Sequence, residues 1–349
     1  MDTQTGSFTT VPLRLHLNES PYGPPPGVCE ALAAEIGSAA GRYPDSTCHD
    51  LRRALGVHLG ISESMVAAGN GVDELVMLAV LAYVGRGGMV VCTATTYPGY
   101  AWAAGSIGAR CSTVELDGFR VSATAIAESI TPETQLVFIC NPHNPTGAIL
   151  APGELDTIID TAEAVNAVVV VDEAYIDFVD ADESALGKVR AGRRLMVFRT
   201  FSKAWSLAAV RAGYAVGPTD LIDRLRQTRR SLPFSVNRLA QRAVPIALLQ
   251  HGFIETVRFR TARTRELTCL KLQQAALHFL PSVTNFVMVS TAPQDSSIVT
   301  AILERKYGIL VRDLAAFGLR GWIRITIGTP PEMEYCCTAL TKTLGLDQP

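Results

Sequence analysis

Four short runs in this chain of 349 residues are apolar almost throughout rather than at every second position. They are MVVC (89–92), QLVFIC (135–140), AVVVVD (167–172) and RLMVFRT (194–200). A strand with one face in water alternates apolar and polar residues, whereas a strand buried on both faces does not. Helical apolar spacing separates the runs, notably at 72–84, 153–164 and 219–231. Strands of this kind alternating with helices predict an α/β fold: a large, mainly parallel sheet with helices on both faces. Beyond about residue 245 the pattern changes. A long helical stretch over 237–277 leads to TNFVMVS (284–290), a helix near 296–306, ILVRD (309–313) and WIRITIG (322–328). This second part predicts a smaller α+β domain built from residues 1–40 and 246–349, beside a large domain spanning 41–245. The binding cleft is expected between them, at the carboxyl ends of the parallel strands.

Composition narrows the function classes. Apolar residues make up 48% and charged residues 18%, too apolar for a disordered chain. A net charge of −2 provides no field to recruit nucleic acid or an anionic membrane. The longest apolar stretch, Leu75 to Val84, is half of a bilayer span. The first residues lack a basic segment followed by an apolar one, so no signal peptide is expected. Eight cysteines form no CxxC pair and no zinc-like spacing with histidine. A reduced, cytoplasmic enzyme without a bound metal fits these features.

Four segments carry chemistry, and each follows a predicted strand. NPHNPTG (141–147) reads either as a Pro/Gly turn or as a ligand-binding loop. Its four-residue NPTG core would arise by chance in about one window in 10⁵ at ordinary residue usage. AVVVVDEAY (167–175) places Asp172 at the end of a wholly apolar strand. Asp172 reads either as a helix cap or as a buried carboxylate, which is costly without a cationic partner. In RTFSKAWSLAAVRAG (199–213), Lys203 lies among apolar neighbours. Such a lysine is either a solvated loop residue or a desolvated nucleophile. Thr200 and Ser202 offer hydroxyls there, and Arg211 a fork suited to phosphate. AAGNGVDELVMLAV (67–80) is a strand, a Gly-Asn-Gly turn and a helix whose first amides face an anion. A phosphate cradle, a carboxylate for a pyridinium and a lysine for a Schiff base are the parts pyridoxal phosphate requires.

With these residues in place the chain resembles the class I/II aminotransferases of pyridoxal-phosphate fold type I, and among them the histidinol-phosphate aminotransferase branch. The resemblance runs from about residue 15 to 340 through LNESPYGP (17–24), RYPD (42–45), GNGVDEL (69–75), TYPGY (96–100), NPHNPTG, DEAY (172–175), SKAWSLAAVRAG, TNFVMV and RITIGT (324–329). It implies pyridoxal 5'-phosphate as cofactor, held covalently by Lys203, which also shuttles the substrate proton. It implies that Asp172 pairs with the pyridine nitrogen, that Asn144 and Tyr175 bond the ring hydroxyl, and that Tyr97 stacks on the ring. The amides of Val72 and Asp73, with Thr200, Ser202 and Arg211, would grip the phosphate. Tyr43 would reach the neighbouring subunit's phosphate, which makes the protein a homodimer with shared active sites. Arg324, with Arg312, Tyr22 and Asn144, would bind the substrate's anionic group. The partners implied are a small-molecule amino donor and a keto-acid acceptor.

The chain departs from the branch at His143, where Asn is frequent, in SKAWSLAAVR against SKAFGLAGLR, and at Ser235 in SLPFSVN. None of these removes a cofactor residue. His143 reads either as a proton-transfer group or as a hydrogen-bonding support. Two competing functions stand beside aminotransfer. One is another reaction on the same cofactor, such as decarboxylation of a phosphorylated amino acid, or a cyclisation or elimination in secondary metabolism. The other is a non-catalytic sensor domain, disfavoured because only about fifteen residues precede the resemblance, with no basic arm.

Overall fold

The computed structural model describes residues 11–346. The chain runs β1 (Leu13–Leu15), α1 (Val28–Ala39), α2 (His49–Leu59), β2 (Val66–Gly69), α3 (Gly71–Tyr83), β3 (Met89–Thr93), α4 (Gly99–Ser106) and β4 (Arg110–Val114). It continues through α5 (Ala123–Ser129), β5 (Thr134–Cys140), α6 (Glu154–Ala164), β6 (Val168–Asp172), α7 (Leu186–Arg190), β7 (Leu195–Thr200), β8 (Gly213–Val216) and α8 (Thr219–Thr228). The last part comprises α9 (Arg238–Leu248), α10 (Phe253–Gln274), β9 (Phe279–Leu280), β10 (Phe286–Ser290), α11 (Ser296–Tyr307), β11 (Ile309–Asp313), β12 (Trp322–Thr326) and α12 (Pro330–Leu344).

Seven strands form one sheet in the order β2-β8-β7-β6-β5-β3-β4. The five from β7 to β4 are parallel, while β8 runs antiparallel to both β7 and β2. The apolar runs are explained by packing on both faces. In β6, Val169 and Val171 enter one core while Val168 and Val170 enter the core on the other side. In β5, Val137 and Ile139 face the first core, and Leu136, Phe138 and Cys140 face the second. The fold is therefore α/β, with a mixed, mostly parallel sheet.

The second sheet has the order β1-β11-β12-β10-β9 and its own core of Leu15, Val287, Ile323, Ile325 and Leu340 among others. β1 pairs in parallel with β11, so a segment from the start of the chain completes a sheet built from its end. α1 packs instead on α9, and its Val28 belongs to a core of the larger sheet. The stretch expected to be helical over 237–277 is two helices. Leu248 ends α9, and Gly252, at φ 82, starts α10. The stretch expected over 219–231 is α8 followed by one 3₁₀ turn at Arg229–Ser231. Among the described residues no helix is long and apolar enough to cross a membrane.

Candidate active site

The carboxyl ends of β5, β6 and β7 open into a cleft of about 450 Å³ that reaches across to β11 and β12. Twelve of the fourteen residues singled out from the sequence line it: Val72, Asp73, Tyr97, Asn144, Asp172, Tyr175, Thr200, Ser202, Lys203, Arg211, Arg312 and Arg324. Tyr22 and Tyr43 do not. Tyr22 packs beside Arg260 and against the cluster behind Tyr175 and Phe286. Tyr43 is 78% exposed and stacks on Phe234 at 4.5 Å.

One wall is the turn from β2 into α3. Gly71 adopts φ +78, and a Cβ there would lie 2.4 Å from the Arg211 guanidinium. A Cβ on Gly213 would lie 2.9 Å from the Gly71 backbone. Only glycine at both positions lets the arginine approach the first turn of α3. Arg211 donates to Ser202 Oγ (3.2 Å) and pairs with the Asp73 carboxylate (2.8 Å), which also accepts from the Tyr97 hydroxyl (2.7 Å). Free amides at a helix start, two hydroxyls and a guanidinium converge here, an arrangement that could hold a phosphate.

Asp172, 4% exposed, closes β6. Its carboxylate accepts from the Tyr100 hydroxyl (2.6 Å) and the Ala174 amide (3.1 Å), and among the described residues it has no ion pair. Burial pushes its pKa up to about 6, against the opposing pull of these hydrogen bonds. Lys203 keeps part of its surface open to the cleft, yet the surrounding protein strips most of its water. That desolvation, reinforced by Arg324 and Arg211, lowers its pKa to about 8. Its Nζ donates to the Leu17 carbonyl (2.8 Å).

The opposite wall carries two arginines. Arg312 and Arg324 are directly paired across β11 and β12. Burial lowers the Arg324 pKa, and repulsion from Arg312 adds to it. Arg324 donates to the Asn144 side chain and to the His16 carbonyl, while its Nε is buried without a partner among the described residues. This wall suits a bound anion.

Sequence reasoning passed over two features. The first is the strap His16–Glu19, which lines the cleft and supplies carbonyls to Lys203 and Arg324. Its partners lie far away in the chain, so no local pattern announces it. The second is Tyr100, fully buried against Asp172. It sits inside the TYPGY motif, and a buried tyrosine needs a polar partner. His143 does not line the cleft. It bonds Thr146 (2.9 Å) and is kept neutral by burial, with a pKa near 4, which fits a support behind the loop rather than a proton carrier.

Comparison with known proteins agrees with this geometry. Residues 10–340 match the family Aminotransferase class I and II. The chain is 34% identical over 336 residues to a histidinol-phosphate aminotransferase of Moorella thermoacetica, covering 95% of this chain and 86% of that protein. It is 36% identical over 341 residues to histidinol-phosphate aminotransferase 1 of Cupriavidus pinatubonensis, covering 95% and 88%. In three dimensions it is similar to the histidinol-phosphate aminotransferase of Sinorhizobium meliloti, solved in complex with pyridoxal-5'-phosphate. That match has a TM-score of 0.87 and 29% identity, and covers 96% of this chain and 91% of the other. The chain belongs to the class I and II aminotransferases.

Proposed function

We propose that this protein is a pyridoxal-phosphate-dependent aminotransferase acting on an amine that carries an anionic group, with L-histidinol phosphate as its amino donor and a keto acid as acceptor. The observation that carries the cofactor is Asp172, a buried carboxylate at the end of a parallel strand with no cationic partner among the described residues. A protonated pyridine nitrogen is the cation that would suit it. The cradle of Val72, Asp73, Thr200, Ser202 and Arg211 fits the cofactor's phosphate. Lys203 stands across the same cleft with its amine already partly neutral at ordinary pH. When bound, the cofactor supplies an electron sink for the carbon that loses its proton.

The chain's own groups have distinct tasks. Lys203 provides the amine that attaches the cofactor and afterwards moves a proton at the substrate's α-carbon. Asp172, oriented by Tyr100, would keep the pyridine nitrogen protonated. Asn144 and Tyr175 would bond the ring hydroxyl, and Tyr97 would lie against the ring. Arg324 and Arg312 hold the substrate's anionic end, with Asn144 steering Arg324. Tyr22 packs beside Arg260 outside the cleft and is left out of the anion contact.

One exposed patch supports a homodimer. Tyr43 and Phe234 form an exposed aromatic pair beside exposed Leu232, and a second copy would cover them and receive Tyr43 at its phosphate. All eight cysteines are free, which suits the cytoplasm. Residues 41–245 form the large domain; β1 joins the small one from 246–349, and α1 docks on α9. The activity is tested by incubating the protein with pyridoxal phosphate, L-histidinol phosphate and 2-oxoglutarate. Glutamate formation is the expected result; no glutamate from L-histidinol phosphate, with carbon dioxide released when a phosphorylated amino acid such as O-phospho-L-serine replaces it, would overturn the reading in favour of a decarboxylase.

A further inference from the structure

The strap's Asn18 lies 157 residues from Tyr175 in sequence, and its Nδ2 is 2.9 Å from the Tyr175 hydroxyl. The side chain is 1% exposed and its backbone is left-handed, at φ 56, a conformation asparagine tolerates better than most residues. Thr326 fixes which end of the amide faces Tyr175. The Thr326 hydroxyl oxygen accepts from the Asn18 backbone N–H (3.0 Å), so its single proton is free for the Asn18 Oδ1 (3.2 Å). With the oxygen committed to Thr326, the amide must present its NH₂ group to Tyr175. Asn285 holds the strap in place by donating to the Asn18 carbonyl (3.0 Å).

Tyr175 therefore receives a hydrogen bond on its oxygen, and its own proton has no acceptor among the described residues. That proton belongs to the cleft that Tyr175 lines. We propose that Asn18 is a positioning residue: by donating to the Tyr175 oxygen it commits the Tyr175 proton to an acceptor in the cleft and strengthens that donation. Hydrogen bonds in a chain polarise one another, so a tyrosine that accepts is the better donor. The inference rests on the reading of the site as a pyridoxal-phosphate site, in which the acceptor is the cofactor's ring oxygen. It also gives the small sheet a direct hold on the cofactor. Thr326 lies in β12, Asn18 follows β1, and Tyr175 follows β6 of the large sheet.

The test is a spectrophotometric pH titration of the bound cofactor in the holoenzyme, for wild type, Asn18→Ala, Asn18→Asp, Tyr175→Phe and both double variants. Asn18→Asp keeps the shape and reverses the polarity, since a carboxylate accepts the Tyr175 proton and withdraws it from the cleft. Weaker donation to the ring oxygen raises the pKa of the visible band. The expected shift is about half a unit upward for Asn18→Ala and more for Asn18→Asp; in the Tyr175→Phe background the Asn18→Ala shift disappears and the Asn18→Asp shift shrinks to the through-space effect of the new carboxylate. Thermal unfolding of each variant shows that the folded state is being titrated. An unchanged pKa in a folded Asn18→Asp variant would overturn the inference, as would the same shift with and without the Tyr175 hydroxyl. Either result leaves the cofactor assignment standing. Wild-type protein that takes up no cofactor overturns that assignment, and this inference with it.

Discussion

Asp172 and Glu173 are consecutive carboxylates at the end of β6, both buried, and they point to opposite faces of the same sheet. Glu173 is fully satisfied. It accepts from Arg199 (2.9 Å), from the Ser184 hydroxyl (2.9 Å) and from the Ala185 amide (2.6 Å). Asp172 has a tyrosine and one amide, and among the described residues no cation. Burial is common to both, so burial alone does not mark a functional carboxylate. The difference lies in what has been supplied: the protein completes the charge of Glu173 itself and leaves that of Asp172 for another molecule to complete. The same contrast separates the cations. Arg199, paired with Glu173, has its pKa raised, whereas Lys203 on the cleft side has its pKa lowered. The back face braces the loop, and the cleft face holds reactive groups away from their preferred charge states.

The widest break in this comparison is Lys203→Ala. It removes the attaching amine and the proton carrier together, and turnover should fall by at least about 10³-fold while the fold is kept. Absorbance spectra read the same event directly, because the covalently bound cofactor's visible band should be lost.

Asp172→Asn and Glu173→Gln then separate the two carboxylates. Asp172→Asn should lower kcat by about 10²-fold or more with little loss of stability, because it removes a buried charge that has no protein cation. Glu173→Gln should do the reverse. It takes from Arg199 the carboxylate it bonds, leaving Asp177 as the nearby counter-charge, and should cost about 3 kcal/mol in urea unfolding, while activity per folded molecule stays within severalfold of wild type. Equal losses of kcat in both variants would erase the distinction.

The pH dependence of cofactor attachment sharpens the contrast between the cations. An ordinary lysine becomes a free amine near 10.5, and Lys203 does so near 8. The rate at which cofactor-free protein forms the Schiff base should rise through pH 8 and level off above it. Linkage works in the same direction. Between pH 8 and 10.5 the unfolded lysine holds more protons than the folded one, so this group's penalty is full below 8 and is relieved as pH rises toward 10.5.

The smallest effect concerns Ser206, which the resemblance flagged as standing where the branch commonly has glycine. It sits three residues after Lys203 at φ 57, with a buried hydroxyl that has no partner among the described residues. Ser206→Gly should stabilise the protein by about 1 kcal/mol in thermal unfolding. A destabilised variant would mean that the strained turn is needed as it stands.

Much of this was legible in the sequence because the relevant signals are local. Strands buried on both faces announce themselves as unbroken apolar runs, and loops at their ends carry dense motifs such as NPHNPTG and DEAY. What stayed hidden depends on contacts across the chain or on single turns. The break between α9 and α10 falls in LQHG (249–252), where three residues suit a helix and only Gly252 opposes it. The strap's place in the cleft depends on pairing between β1 and β11, nearly 300 residues apart in sequence. Tyr100 and Asn18 lay inside quoted motifs, but their partners, Asp172 and Tyr175, are known only once the sheet is assembled.

The central claim is most directly tested by a single half-reaction. Protein loaded with pyridoxal phosphate is mixed with L-histidinol phosphate, with no keto acid present, and followed by absorbance. The account predicts that the visible band of the lysine-bound cofactor is replaced by that of pyridoxamine phosphate, in proportion to the sites present. A loaded enzyme whose spectrum stays unchanged with L-histidinol phosphate would contradict it.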